Sequence, residues 1–169
     1  MGMLVCGLNG AGKSTLGKLL AERLSCPFID NEELYFSGTA YTAPRSRDEA
    51  IRILEERTAG GNFVFAAVRG EYGPIFLSRV DTAVLIELPR GTRLQRVRDR
   101  SFRKFGARML PGGDLYEQEQ NWLAAVEARP EDYVRTWLDS FPGCVIRVDG
   151  MLAPEESLKY VLSRLAGNP

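Results

Sequence analysis

The sequence predicts an α/β fold: one parallel sheet with helices packed on both faces. Three observations carry that prediction. Short apolar runs suited to buried strands alternate with stretches of helical periodicity five times along the chain. The first apolar run leads straight into a glycine-rich turn and then a helix. The chain has 169 residues, 44% of them hydrophobic and 26% charged, enough for one domain with a full core.

Leu4-Val-Cys6 is the first strand, and Leu16, Leu19, Leu20 and Leu24 mark the inner face of a helix over 13–24. Cys26-Pro-Phe-Ile-Asp30 forms a short second strand ending in an acid, and Asn31–Tyr35 starts a helical turn. Phe36 to Pro44 reads as a loop. Ser46 with Glu49 is a capping box opening a helix over Arg47–Arg57, with Ile51 and Leu54 inward. Asn62-Phe-Val-Phe-Ala-Ala-Val68 is apolar throughout and bounded by glycines, as a strand buried on both sides must be. A short helix over 74–79 precedes the next buried strand, Thr82–Leu88. A basic helix spans Gly91–Lys104, followed by a loop over Phe105–Gly113. Asp114 then serves as N-cap, with Glu117 three residues on, of a long helix that Arg129-Pro130 interrupts. Pro130 suits the first turn of a continuation to about Ser140. Val145–Val148 is the last strand, Asp149-Gly150 turns it, and Pro154–Leu165 closes the chain as a helix.

The turn after the first strand carries the sharpest chemical signal. Gly7, Gly12, Lys13 and Ser14 fill G-x-x-x-x-G-K-[ST], the phosphate-binding P-loop. Its glycines allow a tight turn that points several N–H groups inward, and the helix that follows aims its positive dipole end at the same place. Gly7, Asn9, Gly10, Ala11, Gly12, Lys13, Ser14 and Thr15 are therefore expected to cradle nucleotide phosphates. Lys13 supplies a full charge and the Ser14 hydroxyl a Mg²⁺ ligand.

Composition narrows the alternatives. Lys plus Arg is 22 and Asp plus Glu is 22, so the net charge is zero, which argues against a generally basic nucleic-acid binder. No apolar run reaches membrane-spanning length. The start lacks a basic leader region, and cleavage there would destroy the P-loop, so a cytoplasmic location is expected. Cys6, Cys26 and Cys144 have no metal-ligand spacing. There is no histidine, so acid–base work falls to carboxylates, lysine or the substrate itself.

In such sheets ligands bind beyond the carboxyl ends of the strands, and five stretches with chemical character fall there. The P-loop follows strand 1. Asp30 follows strand 2, placed to accept the acceptor's proton or to hold a water of the metal shell; an Asp helix cap fits that position as well. Glu32 is a candidate for gripping the acceptor. Arg69 follows strand 3 and, with Arg45 and Arg47, is a candidate anion contact. No Walker B aspartate ends that strand, which leaves support of the metal to Asp30 or Glu71. After strand 4, residues 90–108 hold eight of the 22 basic residues and one acid, Asp99. Arg96 and Arg100 share a helical face and, with Arg108, can neutralise charge on a transferring phosphoryl group; a solvated helix face is the plainer alternative. Gly106, Pro111, Gly112 and Gly113 make the stretch 96–114 read as a mobile lid.

The chain resembles the small P-loop kinases: shikimate kinase, gluconokinase and the adenylate-kinase group. Gly7-Leu-Asn-Gly-Ala-Gly-Lys-Ser-Thr15 matches their phosphate loop. Phe28-Ile-Asp-Asn-Glu32 is similar to the F-x-D-x-D of shikimate kinase, whose acids serve metal and acceptor. Arg96-Val-Arg-Asp-Arg100 resembles the R-x-x-x-R entering the adenylate-kinase lid, and Val148-Asp-Gly150 the turn that supports adenine there. The run Phe105–Asp114 resembles uncharacterised bacterial proteins described only as P-loop ATPases or kinase-like. The resemblance implies strand order 2-3-1-4-5, ATP and Mg²⁺ as cofactors, Arg100 and Gly150 on the nucleotide, and a monomer or homodimer. The acceptor-reading segments after strand 3 differ from both shikimate kinase and adenylate kinase. The expected activity is ATP- and Mg²⁺-dependent phosphoryl transfer to a small hydroxyl-bearing metabolite. A nucleoside or nucleotide kinase is one alternative, and a regulatory ATPase acting through a protein partner, with Tyr116, Trp122 and Trp137 at its interface, is another.

Overall fold

In the computed structural model, residues 1–36 and 44–167 are described. The expected loop Phe36–Pro44 has residues 37–43 outside them. The elements are β1 (Gly2–Cys6), α1 (Lys13–Arg23), β2 (Phe28–Asp30), α2 (Asn31–Tyr35), α3 (Arg47–Thr58), β3 (Phe63–Ala66) and α4 (Pro74–Leu77). They continue with β4 (Thr82–Glu87), α5 (Arg90–Phe105), a 3₁₀ turn (Gly106–Met109), α6 (Tyr116–Glu127), α7 (Tyr133–Leu138), β5 (Cys144–Asp149) and α8 (Pro154–Ala166).

All strand pairs are parallel, in the order β2-β3-β1-β4-β5. β1 and β3 are buried along their whole length, and β4 up to its last residue, so these strands read as unbroken apolar runs. Leu4, Phe63, Phe65 and Ala83 face one layer, where Leu34, Leu54, Phe76 and Leu138 cover them. Met3, Val5, Val64 and Val84 face the opposite layer, closed by Leu16 and Leu20 of α1 and Val161 of α8. Phe65 sits edge-on to Phe76 at 5.3 Å and to Tyr72 at 5.1 Å. Each such buried ring contributes about 2–3 kcal/mol through apolar area alone. Gly70 passes under the Trp137 ring, where a Cβ would come within 2.8 Å of it.

Three local expectations are corrected. The second strand starts at Phe28, not Cys26. Asp114 does not cap α6, which begins at Tyr116 with Leu115 at the cap position; the Asp114 carboxylate is taken by the Arg108 guanidinium through contacts of 2.6–3.2 Å. Pro130 lies three residues ahead of α7 instead of in its first turn: α6 ends at Glu127, α7 starts at Tyr133, and the Tyr133 N–H donates to the Pro130 carbonyl at 3.2 Å. Residues 128–132 are thereby left as a connection lying over the carboxyl edge of the sheet. No helix among the described residues is long and apolar enough to cross a membrane.

Candidate active site

The P-loop joins β1 to α1 at the centre of the sheet. Gly10 (φ 88°) and Gly12 (φ 100°) adopt left-handed conformations that side chains resist. They differ in surroundings. A Cβ on Gly10 would lie 2.4 Å from the carbonyl oxygen of Arg93, whereas one on Gly12 would meet nothing within 4 Å. Gly10 thus lets α5 close onto the loop, while Gly12 bares backbone at the mouth of α1. The first turn of α1 carries no acidic residue, so its positive end is available to an anion. Ala11 is buried behind the loop, and Ser14 is half-buried in the first turn. Hard hydroxyl and carboxylate oxygens of the kind Ser14 and Asp30 offer suit Mg²⁺, which keeps much of its water shell. Among the described residues no cluster of three or more His, Cys, Asp or Glu forms a protein-only metal cage.

Lys13 is half-buried and donates to the Leu8 carbonyl at 3.1 Å. Burial first, then the Arg100 charge, lowers its pKa from 10.5 to about 8, with Asp30, Cys6 and Glu32 opposing the shift. Lys13, Asp30 and Arg100 thus share one electrostatic field at the loop. The Cys6 thiol beneath is pushed up to about 12 by burial, so it stays an inert thiol.

Asp30 caps α2: its Oδ1 accepts from the Glu32 amide at 3.0 Å. The cap and the catalytic readings are compatible, because a carboxylate has a second oxygen. Glu32 itself is exposed.

Beside Asp30 an open pocket of about 150 Å³ is lined by Asn31, Tyr35, Arg47, Arg69, Arg129 and Tyr133, together with Glu71 and Tyr72. Its cations are held in place. Arg69 pairs with Glu71 at 2.6 Å and lies flat over the Tyr133 ring, 3.7 Å from its centroid. Arg47 donates to the Glu71 carbonyl at 2.7 Å. Arg129 donates to the Asn9 side chain at 2.7 Å and also faces the Tyr133 ring. Tyr72 donates to the Asn31 side-chain oxygen, and burial first, then the Tyr35 neighbour, pushes its pKa up, which keeps it a donor. Arg47, Arg69 and Arg129 outnumber Glu71, so the pocket favours an anion.

Arg45 is not brought to this pocket. It donates to the Glu33 and Leu34 carbonyls, both at 3.0 Å, filling acceptors that the C-terminus of α2 leaves open. Arg96 reaches across to the Gly150 carbonyl at 3.3 Å and ties α5 to the turn after β5. Arg100 is exposed on α5, and Arg108 points at Asp114.

Sequence reasoning passed over Tyr35, Tyr72, Arg129, Tyr133 and Arg93. Arg93 had a signal: it shares the buried face of α5 with Leu94, Val97 and Ser101, an inward position inside a charge run. Arg129 and Tyr133 had none beyond the helix break at Pro130.

A P-loop at the centre of a parallel 2-3-1-4-5 sheet, with an anion-favouring pocket beside it, marks the chain as a P-loop domain. Residues 3–104 match the family model AAA_18, described as AAA domain, so the chain belongs to that family. A Bacillus subtilis (strain 168) protein, named only as the uncharacterised protein YqaC, is 27% identical over 173 residues, covering 97% of each chain. The Aquifex aeolicus shikimate kinase structure aligns with TM-score 0.60 at 24% identity over 99% of this chain and 98% of its own. A gluconokinase from Sinorhizobium meliloti aligns with TM-score 0.55 at 17% identity over 98% and 91%.

Proposed function

We propose that the protein transfers the γ-phosphoryl group of ATP to a hydroxyl of a small anionic metabolite seated among Arg47, Arg69 and Arg129. The observation that carries this reading is adjacency. Arg129 lines the cationic pocket and donates at 2.7 Å to the Asn9 side chain of the phosphate loop, so the two lie side by side. The names of the structural neighbours, shikimate kinase and gluconokinase, fit a small acceptor of this kind.

In this reading the backbone from Gly7 to Thr15 holds the triphosphate, and Lys13 and Arg100 lie against its charge. Mg²⁺, when bound through Ser14 and water, neutralises the phosphate oxygens. The acceptor oxygen forms its bond to phosphorus as the bond to the ADP oxygen breaks, and the acceptor's proton passes to Asp30 or to solvent. Asp30 is suited to that task because only one of its carboxylate oxygens is engaged by the cap. On the same reading Arg96 and Gly150 would flank the nucleotide, Arg108 would close from the lid, and Glu32 would grip the acceptor. The reaction belongs to a cytoplasmic metabolite kinase.

A nucleotide acceptor would use the same arginines. The protein-docking reading is disfavoured, because Trp137 is packed against Phe141 at 5.8 Å and Trp122 against the α5–α6 cluster. ADP release from Mg-ATP, assayed with pools of sugar acids, sugar phosphates, polyols, nucleosides and nucleotides, tests the proposal. Stimulation by one pool, absent in Lys13→Ala, supports it. Slow Lys13-dependent release that no pool changes sinks it in favour of a regulatory ATPase.

A further inference from the structure

The connection from Glu127 to Tyr133 is used at every second residue. Glu127 meets Arg90 at 3.8 Å and Arg98 at 3.3 Å. Arg129 donates to the Asn9 side chain at 2.7 Å. Glu131 meets Arg93 at 2.7 Å and Arg90 at 3.3 Å. Tyr133 carries the Arg69 guanidinium on its face at 3.7 Å. One short segment therefore touches α5, the phosphate loop and the acceptor pocket.

Asn9 is where these contacts meet the loop. Its side chain accepts from Arg129, and its backbone carbonyl accepts from Arg93 at 3.3 Å. Arg93 is 2% exposed, and its carboxylate partner Glu131 sits on the same connection as Arg129. The connection thus holds the loop directly through Arg129 and indirectly through Arg93, which its Glu131 pairs. Arg129 is half-buried, lines the pocket, and spends one guanidinium nitrogen on Asn9. A guanidinium has five donors in a rigid fork, so the others remain for an anion in the pocket.

We propose that Arg129 is a positioning residue that ties the acceptor pocket to the phosphate loop through Asn9, so that the two substrates bind interdependently. This rests on the kinase reading above. An anion that fixes the Arg129 guanidinium also fixes the Asn9 side chain, and a nucleotide that orders the loop orders the 127–133 connection. Coupling of this kind is reciprocal, so either ligand reports it.

MgADP is the probe, with amide hydrogen exchange as the readout. At saturating MgADP, exchange of the amides in residues 128–133 slows by roughly tenfold, as when a charge-assisted contact holding a local opening is strengthened. In Asn9→Ala and in Arg129→Lys, also compared at saturating MgADP, the slowing disappears, while α8 exchanges as in the parent. Lysine keeps the charge but loses the fork that can serve Asn9 and the pocket together. Two variants guard against one being too unstable to read. A merely structural Arg129 would change baseline exchange and not its response to nucleotide. Unchanged exchange at 128–133, with MgADP bound by a fluorescent-ADP titration, overturns the inference and leaves the kinase reading standing. Slowing that persists in both variants also overturns it. Failure of the parent to bind MgADP removes both.

Discussion

The Arg93 guanidinium meets the Glu131 carboxylate at 2.7 Å directly behind the phosphate loop, the arginine 2% exposed and the glutamate 40%. The pairing is asymmetric: one charge has left water and the other has not. Arg93 Nε has no partner among the described protein atoms, so Glu131 and the Asn9 carbonyl are all that offset its desolvation. Removing Glu131 leaves that charge nearly alone. Glu131→Ala is expected to cost about 2 kcal/mol in urea unfolding, below the full buried-pair value because Glu131 is part-solvated. Glu131→Gln, which keeps an acceptor, should recover about half. A midpoint unchanged in Glu131→Ala would mean that solvent reaches Arg93.

The two left-handed glycines of the loop separate packing from conformation. Gly12→Ala has open space and incurs only the backbone cost of a left-handed residue, about 1–2 kcal/mol. Gly10→Ala incurs the same cost and also drives a Cβ toward the Arg93 carbonyl and the Val97 side chain, neither of which can yield without moving α5. Gly10→Ala should therefore unfold at lower urea than Gly12→Ala. Gly12→Ala should lose nucleotide affinity while staying folded, since its new methyl group stands where phosphate would approach. The reverse order of stability would place the strain elsewhere in the loop.

These contrasts also indicate where the sequence was legible. β1, β3 and β4 could be read because a strand buried on both faces must be apolar at every position, and the P-loop because strand, glycines and helix fall in one frame. Asp114 could not be read correctly: its type and spacing fit a cap, but a guanidinium six residues earlier competes for the carboxylate and takes it. Arg45 is a related case. Its sequence neighbours do not reveal that the carbonyls ending α2 lie within its reach. Part of the cationic pocket was invisible, because Arg129 and Tyr133 come from an aperiodic connection that only the folded sheet carries to Arg69 and Asn9.

Lys13 gives the site a pH signature. Burial, then the Arg100 charge, lowers its pKa from 10.5 to about 8. Because the folded value lies below the unfolded one, the unfolded chain holds more protons between about pH 8 and 10.5, and this group's contribution to stability rises across that window. Nucleotide binding has the opposite sense. Phosphates favour the charged ammonium, so binding draws a proton onto Lys13 wherever the free protein has lost it. Affinity for MgADP should be flat below pH 8 and fall about tenfold per unit above it. Calorimetry at pH 9 in buffers of different ionisation enthalpy should show close to one proton taken up, against about a tenth at pH 7. Equal proton uptake at both pH values would mean that Lys13 is not the group that titrates.

Arg108 holds Asp114 in a two-pronged contact, with both side chains about 60% exposed. The mutual pairing raises the arginine's pKa and lowers the carboxylate's, through the side-chain hydrogen bond first. An exposed pair of this kind does little for global stability, so Arg108→Ala and Asp114→Asn should both leave the urea midpoint near its parent value. They should part company in turnover. If Arg108 swings from Asp114 onto the transferring phosphoryl group, Arg108→Ala lowers kcat by roughly a hundredfold or more at an unchanged acceptor KM. Asp114→Asn, which loosens the competing grip, should keep kcat at or above the parent value. Were Arg108 only a brace for the 106–114 turn, both variants would disturb the same loop and both would slow turnover alike. The ratio of the two kcat values, measured once an acceptor is in hand, decides between a lid arginine and a surface clasp.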